Sequence, residues 1–307
     1  MDKNVCKICS KEFEGDTLFH KHLKTHKVTQ TVYYQTHFPR IDLYDKSMIR
    51  YKNKEYYFST DFNSKANFKK WLSIISPEHG LIYVNRFLTN RKEKKSLTYI
   101  PSQAELKTLM MPGIKYINEH YGDYDSICLK LGLKVRFTEK QLDPKKFKDI
   151  SSKVIFTDTR EQNPLDFNQS TRTKGMKFGD YRMAGSEIYI ERKSVGDAWG
   201  TLTGGIDRFE REIIRAKDAG AYLVILIEGP FDSLEKYPMQ RQVMGKIRIP
   251  VEFVYHNIRE LMQKFAHIQF LFVRDRDEAS RIVQKIFMAD AQVRNVDLQF
   301  MYDVGKL

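Results

Sequence analysis

The sequence runs to 307 residues with 41% hydrophobic and 30% charged side chains, enough for two or three domains with ordinary buried cores. No apolar run approaches the roughly 20 residues of a membrane span, the start MDKNVCKICS has no signal-peptide core, and three cysteines argue against a disulfide framework, so an intracellular protein is expected. The formal net charge is +13, almost all of it in residues 1–150, which points to a polyanion held by the first half, with nucleic acid as the first candidate. An anionic membrane is the second candidate, but no long basic amphipathic helix supports it.

Taken in order, the chain opens with Cys6, Cys9, His22 and His26 in the pattern C-x2-C-x12-H-x3-H. Two cysteines on a tight turn and two histidines one helical turn apart can close a tetrahedral zinc site. Phe13 and Phe19 fall where a small apolar core is needed, and Asp16 is the expected helix N-cap. Residues 1–28 thus resemble the two-Cys, two-His ββα zinc fingers, with His20 as a spare histidine. Asn4 stands where that family has an aromatic residue. Of Gly15, Thr17, Leu18 and Lys21, the positions that would meet bases, only Lys21 is a strong donor to a guanine edge. With no tandem finger behind it, the finger is expected to contact phosphate, a branch point or protein rather than to read sequence.

Residues 29–98 form an unassigned small α+β region. VYYQTHF, MIRYKNKEYYF and GLIYVNRFL read as short strands, and NSKANFKKWLSII as a helix. The aromatics are expected to fill a small β core, while the cluster Arg91, Lys92, Lys94 and Lys95 is expected to meet nucleic acid. Residues 99–135 read as three short helices. Pro101-Ser102 starts the first, Pro112-Gly113 separates the second, and Tyr121-Gly122-Asp123 turns into a third that stops at Gly132. This module is similar to the small DNA-binding repeats attached to some homing endonucleases, and Lys115, Lys130 and Lys134 would give it a basic face. Residues 136–152 read as a charged linker.

From 153 to 307 the texture is α/β. KVIFTDTRE, MKFGDYRM and EIYIERK read as strands, followed by a helix through RFEREIIRAKDAG. AYLVILIEG and IQFLFV read as strands buried on both faces, and DRDEASRIVQKIF as a closing helix. On a strand, Glu191 and Lys193 share a face and Ile190 and Arg192 take the other. A carboxylate and a lysine aimed together, with Asp180 on the preceding strand, suit metal-assisted phosphodiester hydrolysis: oxygen ligands hold a hard divalent cation, and the lysine orients water or offsets developing charge.

The set Asp158-Thr-Arg-Glu161, Gly179-Asp180, Glu191-Arg-Lys193-x3-Asp197, Arg208-Phe-x2-Glu and LVILIEG resembles the nuclease domain of the XPF-type structure-specific endonucleases, within the restriction-endonuclease-like fold. The resemblance implies an α/β nuclease domain, preceded here by a ββα zinc finger and a small α+β or helical DNA-binding region. It implies Asp180 and Glu191 as principal ligands of magnesium or manganese, Lys193 as the catalytic lysine and Asp158 as an additional acid at the metal edge. Arg160, Glu161, Arg192, Asp197 and Arg208 would be supporting residues; Glu161 and Asp197 read equally well as salt-bridge or helix-capping partners. The implied activity is a metal-dependent DNA endonuclease acting on branched or single-strand-containing DNA. The alternatives are a sequence-specific, restriction- or homing-like nuclease of the same fold, and a catalytically inactive DNA-binding scaffold. The family usually adds helix-hairpin-helix units after the nuclease domain and pairs through that domain. No such units are read before Leu307, so the front end is expected to grip DNA, and a homodimer is the implied assembly.

Overall fold

The structure is a computed structural model that describes residues 3–242 and 249–307. The chain divides into two compact units, Met1–Gly80 and Leu81–Leu307.

In the first unit, strands β1 (Lys3–Val5) and β2 (Glu12–Glu14) pair antiparallel, Asn4 opposite Phe13, and lead into helix α1 (Asp16–Leu23). Gly15, at φ +75°, takes the cap position of α1 that was expected of Asp16. Asp16 is the first helical residue instead, and its carboxylate accepts from Asn4 Nδ2 and Lys54 Nζ. The stretches expected as strands are helical, α2 (Gln30–His37) and α3 (Lys54–Ser59) here and α5 (Pro77–Lys95), most of whose residues belong to the second unit, with α4 (Lys65–Ile74) helical as expected. Aromatic residues raise strand propensity, but the side chains of Thr29, Asn53 and Ser64 accept the amides of Val32, Tyr56 and Asn67, each starting a helix. The aromatics do form a core, a helical one. Tyr33, Tyr34, Ile49 and Tyr57 bury with Cys6, Phe19 and Leu23 in one cluster.

In the second unit, α6 (Gln103–Lys107), α7 (Ile114–His120) and α8 (Tyr124–Lys130) are the three expected short helices. Ser102 and Glu105 form a reciprocal capping box on α6. Gln103 donates its amide to Asp297 at 2.6 Å, so this segment is fastened to the α/β part. The stretch expected as a linker is fastened too. Arg136 donates to the carbonyls of Met262 and Ile268, both at 2.9 Å, and Leu142 and Ile150 are buried.

The α/β part holds β3 (Ile155–Thr157), β4 (Thr171–Thr173), β5 (Tyr181–Met183), β6 (Ile188–Ser194), α9 (Val195–Leu202), α10 (Ile206–Asp218) and β7 (Tyr222–Glu228). It continues through α11 (Ser233–Gln242), α12 (Val251–Lys264), β8 (Ile268–Val273), α13 (Arg276–Ala289) and α14 (Leu298–Asp303). Helix α13 does not close the fold as expected, because α14 follows and packs through Leu298 and Met301 into the core. The six-stranded sheet runs β4-β3-β5-β6-β7-β8, with β5 antiparallel to both neighbours and β6, β7 and β8 parallel. Strand β7 shows why its sequence is continuously apolar. Tyr222, Val224 and Leu226 enter the core shared with α13 and α14, while Leu223, Ile225 and Ile227 enter the core shared with α9, α10 and α12. Among the described residues, no helix is long and apolar enough to cross a membrane.

Candidate active site

Strand alternation decides the site. Ile188 and Ile190 of β6 face the core of α13 and α14, so Glu191 and Lys193 face the opposite side, toward α9 and α10. Lys193 Nζ donates to Glu191 Oε1 at 2.6 Å, and both are nearly buried. The ammonium lies 4.7 Å from the centroid of the Phe209 ring on α10. Asp180 closes the group from the turn before β5. Its amide donates to Ile190 O at 2.7 Å, and its Oδ2 accepts the Arg192 amide at 2.7 Å. Gly179 is required at that turn. Its φ is +69°, and an added Cβ would stand 3.3 Å from Ile190 O and from Tyr189 Cβ.

The electrostatics follow from burial. Desolvation raises the Asp180 carboxyl to about 6 and, helped by Asp180 itself, the Glu191 carboxyl to about 8, while Lys193 works to lower both. Glu212 of α10 adds to the upward push on each. A pair of desolvated carboxylates and one lysine, short of countercharge, is a group that a hard divalent cation stabilises through oxygen ligands.

The remaining expected residues are placed as follows. Asp158 is buried and its carboxylate is already engaged. Oδ1 accepts Arg160 Nε at 2.6 Å and the Arg160 amide at 2.9 Å, and Oδ2 accepts the Met176 amide at 2.6 Å. Burial works to raise this carboxyl, but the donors from Arg160 and Met176 hold it below the usual range. Asp158, Asp180 and Glu191 were expected as one metal-binding trio. Among the described residues, only Cys6, Cys9, His22 and His26 bring three or more ligand atoms into a cluster tight enough for one ion. Arg192 lies on the other face of β6, between Glu161 Oε2 at 3.2 Å and Glu228 Oε1 at 3.0 Å. Arg276 joins this network at 3.5 Å from Glu228. Asp197 takes the capping alternative: its amide donates to Ser194 Oγ at the start of α9, and its carboxylate accepts the Ser194 hydroxyl. Arg208 is exposed on the first turn of α10.

Glu212, Phe209, Glu228 and Arg276 were not assigned as site residues from the sequence. Glu228 ends an apolar strand directly opposite Ser194, a register visible only once β6 and β7 are paired. Phe209 and Glu212 carried a signal, their three-residue spacing on the helix whose apolar stripe includes Ile213 and Ala216.

In the first unit the ligand atoms of Cys6, Cys9, His22 and His26 all lie within 4.8 Å of one another. Cys9 Sγ is 3.3 Å from His22 Nε2, Cys6 Sγ is 3.7 Å from His26 Nε2, and the two Nε2 atoms are 3.0 Å apart. A tetrahedral zinc with bonds of about 2.3 Å to sulfur and about 2.0 Å to nitrogen sets edges of roughly 3.3–3.8 Å. The two Cys–His separations match these edges and the Nε2–Nε2 separation is slightly shorter, so the donor set suits that ion. The spare His20 points elsewhere, 3.0 Å from Tyr34 Oη.

The expected DNA contacts divide. Arg91 is buried, and it donates to Tyr99 O at 2.6 Å and to Glu105 Oε1 at 3.0 Å, so it is a structural brace rather than a phosphate contact. Lys92 donates to Leu131 O at 2.8 Å and caps the turn after α8 in the same way. Lys21, Lys95, Lys115, Lys130 and Lys134 are exposed. The side chain of Lys94 lies outside what the structure describes.

The stretch from β3 into α13 matches the ERCC4 domain over residues 155–286. This part of the chain is an XPF-type nuclease domain. Two solved structures are similar to the chain. XPF from Aeropyrum pernix is 20% identical over 46% of this chain and 68% of that chain, with a TM-score of 0.34. XPF from Aeropyrum pernix in complex with DNA is 19% identical over 43% and 62%, also with a TM-score of 0.34. No curated protein matches the chain. The six-stranded mixed sheet is that of the ERCC4 nuclease fold, and Gly179-Asp180 and Glu191-Arg192-Lys193 both fall inside the matched residues.

Proposed function

We propose that the chain is a divalent-metal-dependent DNA endonuclease that hydrolyses phosphodiester bonds in branched or single-strand-containing DNA. The observation that carries this reading is the Lys193–Glu191 contact, with Asp180 beside it, inside an ERCC4 domain. Asp180 and Glu191 would hold magnesium or manganese, which when bound polarises the scissile phosphate and acidifies a water. Lys193, seated on the Phe209 ring, orients that water and offsets charge developing on the phosphate. Arg192 acts from the opposite face by fixing Asp180 through its backbone amide. Arg160 holds Asp158 in place and carries its own charge at the exposed edge, where a phosphate can reach it. Asp158 acts in this reading as an anchor for the strand end, donating its amide to Asp180 O at 2.9 Å.

Zinc at Cys6, Cys9, His22 and His26 would be structural, because all four protein ligands are present and no position is left for water. Lys21, Lys95, Lys115, Lys130 and Lys134 would supply phosphate contacts, in a protein that works with DNA inside the cell and pairs through its nuclease domain. A cleavage panel of flaps, forks, splayed arms, four-way junctions and plain duplex in magnesium tests the substrate. Cutting confined to branched or single-strand-containing substrates is expected. Equal cutting of plain duplex at one preferred sequence would instead establish the site-specific alternative, and no cutting of any substrate would establish the scaffold.

A further inference from the structure

Helix α10 touches the candidate site twice. Phe209 lies under the Lys193 ammonium, and one turn later Glu212 Oε1 accepts the Gly179 amide at 3.2 Å. Residues three apart share a helix face, so α10 lays an aromatic ring and a carboxylate along the same edge of the site. The Gly179 amide takes only one oxygen of Glu212, and no described residue donates a hydrogen bond to Oε2. Glu210, two residues away on the same helix, is engaged elsewhere by Lys264.

We propose that Glu212 is a third carboxylate of the cation site, a positioning residue whose Oε1 fixes the Gly179-Asp180 turn and whose Oε2 serves the cation's hydration shell. This rests on the reading of Asp180 and Glu191 as cation ligands. Charge balance supports it. Asp158 is hydrogen-bonded by Arg160, and Arg192 lies between Glu161 and Glu228. The groups not held in those pairs are Asp180, Glu191 and Lys193, with Glu161 and Arg160 acting on Asp180 from farther off. Ionised, those three sum to a single negative charge. Glu212 adds a further negative charge to this group, as a divalent cation would require. Among the described residues these carboxylates do not gather into a three-ligand cluster as the Cys/His set does, an arrangement that suits a cation that keeps several waters and uses one or two direct carboxylates. A group that acts through such water is as much a part of the site as a direct ligand.

The alternative is that Glu212 only braces Gly179. Glu212→Gln separates the two, because the amide oxygen still accepts from Gly179 while the charge is lost. The experiment is calorimetric titration of the zinc-loaded full chain with manganese, free of DNA, on wild type, Glu212→Gln, Glu210→Gln and Asp180→Asn. Far-UV circular dichroism of each metal-free variant checks the fold. The expected result is a Kd for manganese raised about tenfold in Glu212→Gln, in the range seen for groups behind metal ligands, and unchanged in Glu210→Gln. Glu212→Gln binding as tightly as wild type while Asp180→Asn loses binding would overturn the role of Glu212 alone. Wild type binding no manganese would overturn the cation reading of Asp180 and Glu191, and Glu212 with it. If Glu212→Gln loses structure, Glu212→Asp replaces it. The aspartate keeps the charge but not the reach, so a weakened manganese affinity with an intact fold is expected, and wild-type affinity would overturn the proposal.

Discussion

At the scale of single residues, burial makes the Asp180–Glu191 pair responsive to pH. Both carboxyls have folded-state values above those of the unfolded chain, about 6 for Asp180 and about 8 for Glu191. In the absence of metal, the stability associated with their protonated forms is present at low pH and is lost as pH rises through those two values. Cation binding needs the ionised forms, so it runs the other way. Manganese affinity measured by titration is expected to climb between about pH 6 and pH 8 and to level off above, with the pair titrating as a unit. An affinity flat across that window would show that these carboxyls are not the ligands. Arg91 gives a second residue-scale prediction. It is buried against Glu105, so Arg91→Ala leaves a buried carboxylate without its countercharge, held only by the Ser102 amide and Gln263, and is expected to cost about 3 kcal/mol in chemical denaturation. Lys130→Ala and Lys134→Ala are expected to leave stability unchanged and to flatten the salt dependence of DNA binding by about one unit each. A reversed pattern, with Arg91→Ala stable and weak in binding, would return Arg91 to the DNA surface.

At the scale of elements, the segment carrying Cys6, Cys9, His22 and His26 is not a free-standing bead. Cys6, Phe19 and Leu23 bury in the same cluster as Tyr33, Tyr34, Ile49 and Tyr57, and the Lys7 amide donates to Tyr33 Oη at 2.8 Å. Loss of the metal is therefore expected to unravel α2 and α3 together with α1. Far-UV circular dichroism after zinc chelation, or in Cys9→Ala, checks this. A loss of helical signal larger than α1 alone can supply is predicted, and an unchanged spectrum would mean that the four ligands are not holding this unit. The same elements show what the sequence can and cannot reveal. Strands β7 and β8 were legible because burial on both faces forces unbroken apolar runs. Strand β6 was legible because the parity of Glu191, Arg192 and Lys193 settles which side each faces. Helices α2, α3 and α5 were read as strands because their aromatic content outweighed the caps at Thr29 and Asn53 in a reading by composition. The inward turn of Arg91 depends on contacts between distant segments that no local pattern encodes. Glu212 stands in the Arg208-Phe-x2-Glu motif, but its contact with Gly179 appears only once α10 packs beside the turn before β5.

At the scale of the molecule, the division of labour follows the charge. The excess of basic residues lies in residues 1–150, ahead of the ERCC4 domain at 155–286, and the candidate site itself carries more acid than base. Under the proposed function, basic surfaces that attract phosphate and a buried acidic site that would hold a cation are complementary requirements. Binding and chemistry should therefore be separable by mutation. The most direct measurement is single-turnover cleavage of a splayed-arm DNA in magnesium by the full chain, comparing wild type, Asp180→Asn and Lys193→Ala, with DNA affinity measured in parallel. Cleavage by wild type that stops on addition of chelator, at least a hundredfold loss in both variants, roughly the effect of removing one preorganised catalytic group, and DNA affinity within about threefold of wild type is the predicted result. Cleavage by either variant at the wild-type rate, or in the presence of chelator, would contradict it.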